Sequence, residues 1–403
     1  MNMKYIIVLG DGMADYPCPE LNNLTPLQYA QTPNMDYIAS KGEIGLVQSV
    51  PNGFPPGSDV ANLSVMGYAP SEYYSGRSPL EAVSMGVDLA DHDIAFRCNL
   101  VTLSDEPDYQ NKKMVDYSSG EITSEESRQL IETIQKELKS NDKHFYPGIS
   151  YRHLMVWHKG ATDTELVPPH DIFGLQIKEH LPQGTGGDVL IDIMERSYAV
   201  LKDHPVNLLR RERGLNPANS LWLWGQGKRP GLPLFKDLYQ LEGAVISAVD
   251  LIQGIGVCAG MRIIKVPGAT GNIHTNFKGK GEAVLTALSE GADYVYLHIE
   301  APDEAGHQGN TELKVQAIEE IDRQVLSLLF EGLREYPRYR IMLLPDHPTP
   351  LKLRTHTAEP VPFCIADSDA VMAKGRTYDE SAATASGILI PDGPTLMKRF
   401  LRS

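Results

Sequence analysis

Long apolar runs are missing from this 403-residue chain, and no stretch of it could span a bilayer. Positive charge is short as well. Against 52 Asp and Glu there are 37 Lys and Arg, and the resulting net charge of −15 argues against nucleic acid as a main partner. Cysteine is scarce: Cys18, Cys98, Cys258 and Cys364 are scattered, with no CxxC spacing, which excludes a disulfide scaffold and reads as reduced thiols of a cytoplasmic protein. MNMKYIIVLGDG runs straight into a strand with no small-residue cleavage site, unlike a secretory signal. There is no P-loop GxxxxGK[ST] and no protein-kinase glycine-rich loop, so no conventional ATP site is visible. Internal repeats and low-complexity tracts are absent too.

What is present is an ordinary soluble composition, 42% hydrophobic and 22% charged, in a chain long enough for two domains. The two ends look alike and the middle differs. Residues 1–95 open with a buried strand and continue in loops rich in Gly, Pro and Ser. Residues 231–403 alternate apolar strands with helices. Ala244–Val249, Arg262–Val266, Tyr294–Ile299, Arg340–Leu344 and Val361–Ala366 are strand candidates, while Lys280–Glu290 and Leu313–Tyr336 read as helices. Such alternation predicts an α/β fold, a mostly parallel sheet flanked by helices. Residues 96–230 form an inserted domain with elements of its own. One is a helix opening at Thr123, where Thr123-x-x-Glu126 spells a capping box; another is a helix over 188–202.

Three hydrophobic runs end in acids, and two of these end beside histidines. Lys4–Leu9 leads to Asp11; Tyr294–Ile299 leads to Asp303 and His307; Arg340–Leu344 leads to Asp346 and His347, with His356 in the next loop. Side chains just past strand ends are how an open α/β sheet builds a site at its carboxyl edge. Three Asp and three His approach what two divalent ions need. Read singly, each signal is ambiguous. Asp303-x-x-x-His307 puts both side chains on one helical face, or is a helix start with an exposed His. Asp11 between two glycines is a close-approach turn or an ordinary one. Ser58, after Pro56-Gly57 at the start of a helix, is either a nucleophile at the positive end of a helix dipole or a plain N-cap.

Taken in order, Gly10-Asp11-Gly12, Gly57-Ser58-Asp59-Val60-Ala61-Asn62, Glu300–His307, Asp346-His347 and His356–Phe363 resemble the archaeal-type cofactor-independent (2,3-bisphosphoglycerate-independent) phosphoglycerate mutases of the alkaline phosphatase superfamily. The resemblance extends over nearly the whole chain, through Phe96–Leu100, Tyr151-Arg152-His153, Pro168–Asp171, Trp224–Gly227 and Pro267–Gly271. It implies an alkaline-phosphatase-like sheet with an inserted α+β cap domain. Ser58 would become phosphoserine. Asp11, Asp346 and His347 would hold one metal that also touches Ser58, and Asp303, His307 and His356 would hold the other. Arg97, Asn99, Arg152, His170, Asp171, Lys228 and Arg229 would lie in or near the cap and bind the phosphate and carboxylate of a small phosphorylated hydroxy acid. The resemblance favours Mn²⁺, with Zn²⁺, Co²⁺ or Mg²⁺ as alternatives, and no 2,3-bisphosphoglycerate; it implies no membrane or nucleic-acid partner and sets no oligomeric state.

The implied activity is interconversion of 2- and 3-phosphoglycerate in glycolysis and gluconeogenesis, an isomerase reaction. Ser58 takes the phosphoryl group, glycerate reorients under a cap that excludes water, and its other hydroxyl takes the group back. A phosphatase, or transfer to another alcohol as in a homoserine kinase-like role, uses the same nucleophile with a different acceptor. A metal-binding scaffold without activity is the third reading.

Overall fold

A computed structural model describes residues 3–371 and 375–402. The chain divides into two compact units, residues 1–74 with 231–403, and residues 75–230.

The first unit is built on an eight-stranded sheet. Lys4–Gly10 lies at its middle, paired in parallel with Tyr294–Ile299 on one side and Tyr339–Leu344 on the other. Gly243–Ile246 and Arg262–Ile264 extend the sheet in parallel beyond Tyr294–Ile299. On the opposite side Val361–Asp367 runs antiparallel to both of its neighbours, Tyr339–Leu344 and Glu43–Val47, and the two-residue strand Leu389–Ile390 closes the edge. Ile6, Ile7, Val8 and Leu9 are all fully buried. Their run is continuous rather than alternating because helices cover both faces. Ile6, Val8, Val295, Leu297, Ile341 and Leu343 share one core with Met35 and Ile38 of the helix Pro33–Lys41, Val284 and Leu288 of Phe277–Ser289, and Ile318 of Thr311–Glu320. Tyr296 points to the other face, where its hydroxyl donates to Asn62 of the helix Ser58–Val65.

The helix expected over 313–336 runs from Thr311 to Gly332 but widens into a π turn at Ile321–Leu326. That turn carries the buried Asp322, which accepts from the backbone N–H groups of Asn34 and Met35 at 2.9 and 2.8 Å and so caps the helix Pro33–Lys41.

The second unit is an antiparallel sheet with helices. Asp93–Leu103 is its spine, pairing with Arg152–His158, Ser220–Lys228 and, at its last residues, Met114–Asp116; Lys143–Ile149 pairs with Arg152–His158. Ile94, Phe96, Cys98 and Leu100 share a core with Leu130, Ile131 and Ile134 of the helix Ser124–Leu138 and with Leu190, Ile193 and Met194 of Gly187–Leu201. By the alternation of a strand, Arg97 and Asn99 point to the other face. Thr123 does cap its helix, accepting from Glu126 N. Glu126 returns to the Thr123 hydroxyl instead of its backbone N–H, so only half of the capping box forms.

The first change of unit falls at 74/75, before the 95/96 expected from composition. The cause is the helix Ser78–Ser84, which packs on Asp93–Leu103 and Ser220–Lys228. It is tied there by Arg97 Nε to Glu81 Oε2 at 3.1 Å and by the Ser78 hydroxyl to Gly225 O. Among the described residues no helix is long and apolar enough to cross a membrane.

Candidate metal centre

Five segments reach one edge of the large sheet. Asp11, Glu300 and Asp346 follow the carboxyl ends of three adjacent strands, in register at Gly10 with Ile299 and Leu9 with Leu344. Glu43–Val47 also ends at that edge and leads on to Ser58. Because Val361–Asp367 runs the other way, the loop that precedes it arrives there too, bringing His356.

Around Ser58, which opens its helix, the Oγ lies 3.2 Å from His347 Nε2 and 3.4 Å from Asp11 Oδ2. His347 Nε2 is 3.6 Å from Asp11 Oδ1 and 3.4 Å from Asp346 Oδ2. Asp346 is fully buried and fixed by three donors: Gly12 N at 3.2 Å, His347 N at 2.9 Å and Asn62 Nδ2 at 2.8 Å. Asn62 also donates to the Ser58 carbonyl at 2.8 Å. One amide thus holds a carboxylate and the backbone of the serine together.

The neighbouring group lies on the helix Ala301–Gln308, where Asp303 and His307 stand one turn apart on one face. His307 Nε2 is 3.3 Å from Asp303 Oδ2, and His356 Nε2 is 3.4 Å from Asp303 Oδ1. The two histidine Nε2 atoms are only 2.8 Å apart. His347 stands between the two groups, with its ring 4.0 Å from that of His356. Ligand atoms of Asp303, His347 and His356 lie within 4.8 Å of one another, as do those of Asp11, His298 and Asp346. The structure therefore brings together Asp11, Ser58, Asp303, His307, Asp346, His347 and His356.

Divalent ions fit this arrangement. Asp11 Oδ1 is buried with no hydrogen-bond partner. Every ion-pair partner of Asp11, Asp303 and Asp346 among the described residues is a histidine. Burial, followed by the Asp346 and Asp303 carboxylates, pushes the Asp11 carboxyl well above its usual range. Burial also acts to raise Asp303, but hydrogen bonds from His307 and His356 hold it well below the ordinary value. That bond to Asp303 in turn lifts His307 to about 9. Crowded buried carboxylates facing imidazole nitrogens are a hard-to-borderline cation's ligand set.

The loops that carry these groups are pinned from behind. Lys314 Nζ is fully buried and lies 2.7 Å from Asp15 Oδ2, and it also donates to Thr349 O at 2.8 Å. Asp15 accepts in addition from Leu351 N at 3.1 Å. Removing one partner strands a buried charge, so Lys314→Met is expected to cost about 3–5 kcal/mol. Lys314→Met with Asp15→Leu should cost less than the sum of the single changes, as read from urea midpoints. Next to this pair, Glu380 accepts from Asp15 N at 3.1 Å and from the Thr25 hydroxyl at 2.6 Å. Burial lifts its carboxyl from 4.5 to about 7. Between those values the folded chain holds a proton that the unfolded chain has lost, so this group's contribution to stability falls as pH rises through the window. Glu380→Gln keeps both bonds and should flatten the change in urea midpoint between pH 5 and pH 8.

In the second unit Arg97, Asn99, Arg152 and His170 gather on one aromatic cluster. The Arg97 guanidinium lies over the Trp224 ring at 4.5 Å, Trp224 Nε1 donates to Asn99 Oδ1 at 3.2 Å, and the His170 ring is 5.4 Å from that of Trp224. Arg152 lies over Tyr151 at 5.7 Å. Glu81 bridges Arg77 at 2.9 Å and Arg97 at 3.1 Å, and these two cations hold it ionised against its burial. Burial pushes Arg97 down to about 10. Asp171 is exposed, 3.6 Å from His170 Nε2. Lys228 and Arg229 are placed apart from this cluster. Lys228 lines a separate hollow with His92 and Lys159, and Arg229 pairs at 3.7 Å with the exposed Asp88.

Sequence reasoning passed over His298, Asn62 and Arg77. His298 Nε2 contacts Asp11 Oδ2 at 3.0 Å while its Nδ1 meets Ser247 Oγ at 3.2 Å, so the ring orients Asp11 from within the sheet. Its signal was a lone histidine inside the apolar run Tyr294–Ile299. Asn62 stands one turn after Ser58, on the same face.

A family model for 2,3-bisphosphoglycerate-independent phosphoglycerate mutase matches residues 39–207. A curated relative from Geobacter sulfurreducens, which carries the same family's name, is 54% identical over 99% of this chain and 100% of its own. A 2,3-bisphosphoglycerate-independent phosphoglycerate mutase of Methanothrix thermoacetophila is 51% identical, also over 99% of this chain and 100% of its own. Among solved structures, the cofactor-independent phosphoglycerate mutase of Thermoplasma acidophilum superposes with a TM-score of 0.67 and 26% identity, covering 100% of this chain and 99% of that one. Agreement at this level, end to end, places the chain in the family of 2,3-bisphosphoglycerate-independent phosphoglycerate mutases.

Proposed function

We propose that this chain interconverts 2-phosphoglycerate and 3-phosphoglycerate through a phosphoserine on Ser58, with no need of 2,3-bisphosphoglycerate. The observation that carries the reading is the Ser58 hydroxyl within 3.4 Å of both His347 and Asp11, in a member of this family. Ser58 Oγ attacks the phosphorus of bound phosphoglycerate, and its proton ends on the departing glycerate oxygen. The bond from phosphorus to the glycerate oxygen breaks, leaving phosphoserine and glycerate. Glycerate turns, its other hydroxyl attacks the phosphoserine, and Ser58 recovers its proton as the product forms. The positive end of the helix Ser58–Val65 favours the charge gathered at Ser58.

Two divalent ions, Mn²⁺ first among the candidates, would sit one at Asp11, Asp346, His347 and Ser58 and the other at Asp303, His307 and His356, lowering the serine pKa and neutralising the phosphoryl oxygens. Arg77, Arg97 and Arg152 suit the carboxylate and phosphate of the substrate, since guanidinium forks match both groups. The four buried cysteines, held as thiols, accord with a cytoplasmic enzyme of glycolysis. A coupled assay from 3-phosphoglycerate with no 2,3-bisphosphoglycerate added tests the reading. Steady formation of 2-phosphoglycerate supports it; release of glycerate and phosphate as the sole reaction overturns it.

A further inference from the structure

Glu81 sets one carboxylate between two guanidinium groups. Arg77 Nε lies 2.9 Å from its Oε1 and Arg97 Nε 3.1 Å from its Oε2, so each oxygen takes one Nε–H. A guanidinium is a planar fork of five N–H groups. That of Arg97 is tied at Nε by Glu81 and covered on one face by the Trp224 ring at 4.5 Å. A tied nitrogen and a covered face leave the plane one orientation. What remains is the edge formed by the two terminal nitrogens. They meet no acceptor among the described residues, although Arg97 is only 8% exposed. Carboxylate and phosphate, with paired oxygens, are the groups that match such an edge.

The backbone is shaped around this group. Ala95 pairs with Gly227 and Arg97 with Trp224, so Gly225 and Gln226 stand against Phe96 alone. A bulge of this kind bends its strand and re-aims the side chains beside it. Gly225 takes φ +62°, in the left-handed region that favours glycine. Its carbonyl accepts from the Ser78 hydroxyl, which fixes the start of the helix that carries Glu81. Trp224 is held in turn by its Nε1 donating to Asn99 Oδ1 at 3.2 Å.

We propose that Glu81 is a positioning residue: by taking the Nε–H of both arginines it aims the terminal edge of Arg97 for a two-oxygen grip on an anionic group of the substrate. The proposal rests on phosphoglycerate being that substrate, and its test separates the two. Charge alone makes the opposite demand, because a carboxylate among arginines weakens their pull on an anion. Calorimetric Kd for 3-phosphoglycerate and the KM of the coupled assay read the difference. Glu81→Gln offers a single oxygen and turns an amide toward the second Nε–H. Glu81→Asp keeps the charge on a stem too short to span both groups, and it remains the readable variant if Glu81→Gln does not fold. Kd and KM should rise about 10- to 100-fold in Gln and less in Asp, with kcat changed by less than about threefold because Ser58 and the ion ligands are untouched. Arg97→Lys keeps the charge without the fork and should weaken binding likewise. Adding Glu81→Gln to Arg97→Lys should then cost little more, since both act through one contact. Unchanged or lower Kd and KM in the Glu81 variants overturn the proposal, as does a double variant in which the two effects add. If the wild type binds 3-phosphoglycerate without interconverting it, the mutase reading fails while the Kd values still decide the role of Glu81. No binding by the wild type overturns both.

Discussion

Ser58→Ala is expected to lose interconversion of phosphoglycerates by at least about 10⁴-fold, as removal of a covalent nucleophile does when other groups of the site stay in place. The fold should not notice. Gly57 remains the residue before the helix, alanine suits its first position, and Asn62 bonds to the carbonyl of residue 58, not its side chain. The hydroxyl is therefore lost without the frame that aims it. Thermal melting should match wild type closely, while a coupled assay finds no turnover and acid quench finds no labelled phosphoenzyme. Retention of more than about one per cent of wild-type turnover would mean that the phosphoryl group travels by another route.

Stripping the ions should be as severe and reversible. After exhaustive chelation the protein is expected to show no activity, and Mn²⁺ should restore it. Asp11, Asp303 and Asp346 are buried together, and their ion-pair partners among the described residues are all imidazoles. Without cations that charge is borne by raising Asp11 and by protonating His307. Both adjustments cost stability relative to the loaded protein. Binding at a hundredfold excess over Kd stabilises by about 2.7 kcal/mol per ion, so the melting temperature should fall by several degrees on chelation and recover with metal. Full activity with no ion detectable by elemental analysis would remove the ions from the mechanism altogether.

Much of this site could be read from sequence because its ligands follow directly on strands with unmistakable apolar runs. Asp11 and Asp346-His347 are one to three residues past a strand end, and Asp303 and His307 share a helical turn that begins immediately after another. His356 was harder to place from spacing alone, since it lies before a strand and not after one; the reversal of Val361–Asp367 is a matter of pairing that no local pattern announces. His298 was missed for a similar reason. His298 acts on Asp11, distant in the chain, and a solitary polar residue in an apolar run is common. In the cap, alternation along Asp93–Leu103 separates Arg97 and Asn99 from the core. Arg77 is absent from the expected set because its helix was assigned to the other domain.

The central position of Lys4–Gly10 has a consequence for synthesis. It leaves the ribosome long before either of its partners, Tyr294–Ile299 and Tyr339–Leu344. At about 5–20 residues per second its two hydrogen-bonding edges stay open for tens of seconds. The intervening residues 75–230 are contiguous and can complete their own core in that time. An apolar strand waiting that long is exposed to pairing with other chains, so the hazard of mispairing during synthesis is greater than the final stability would suggest.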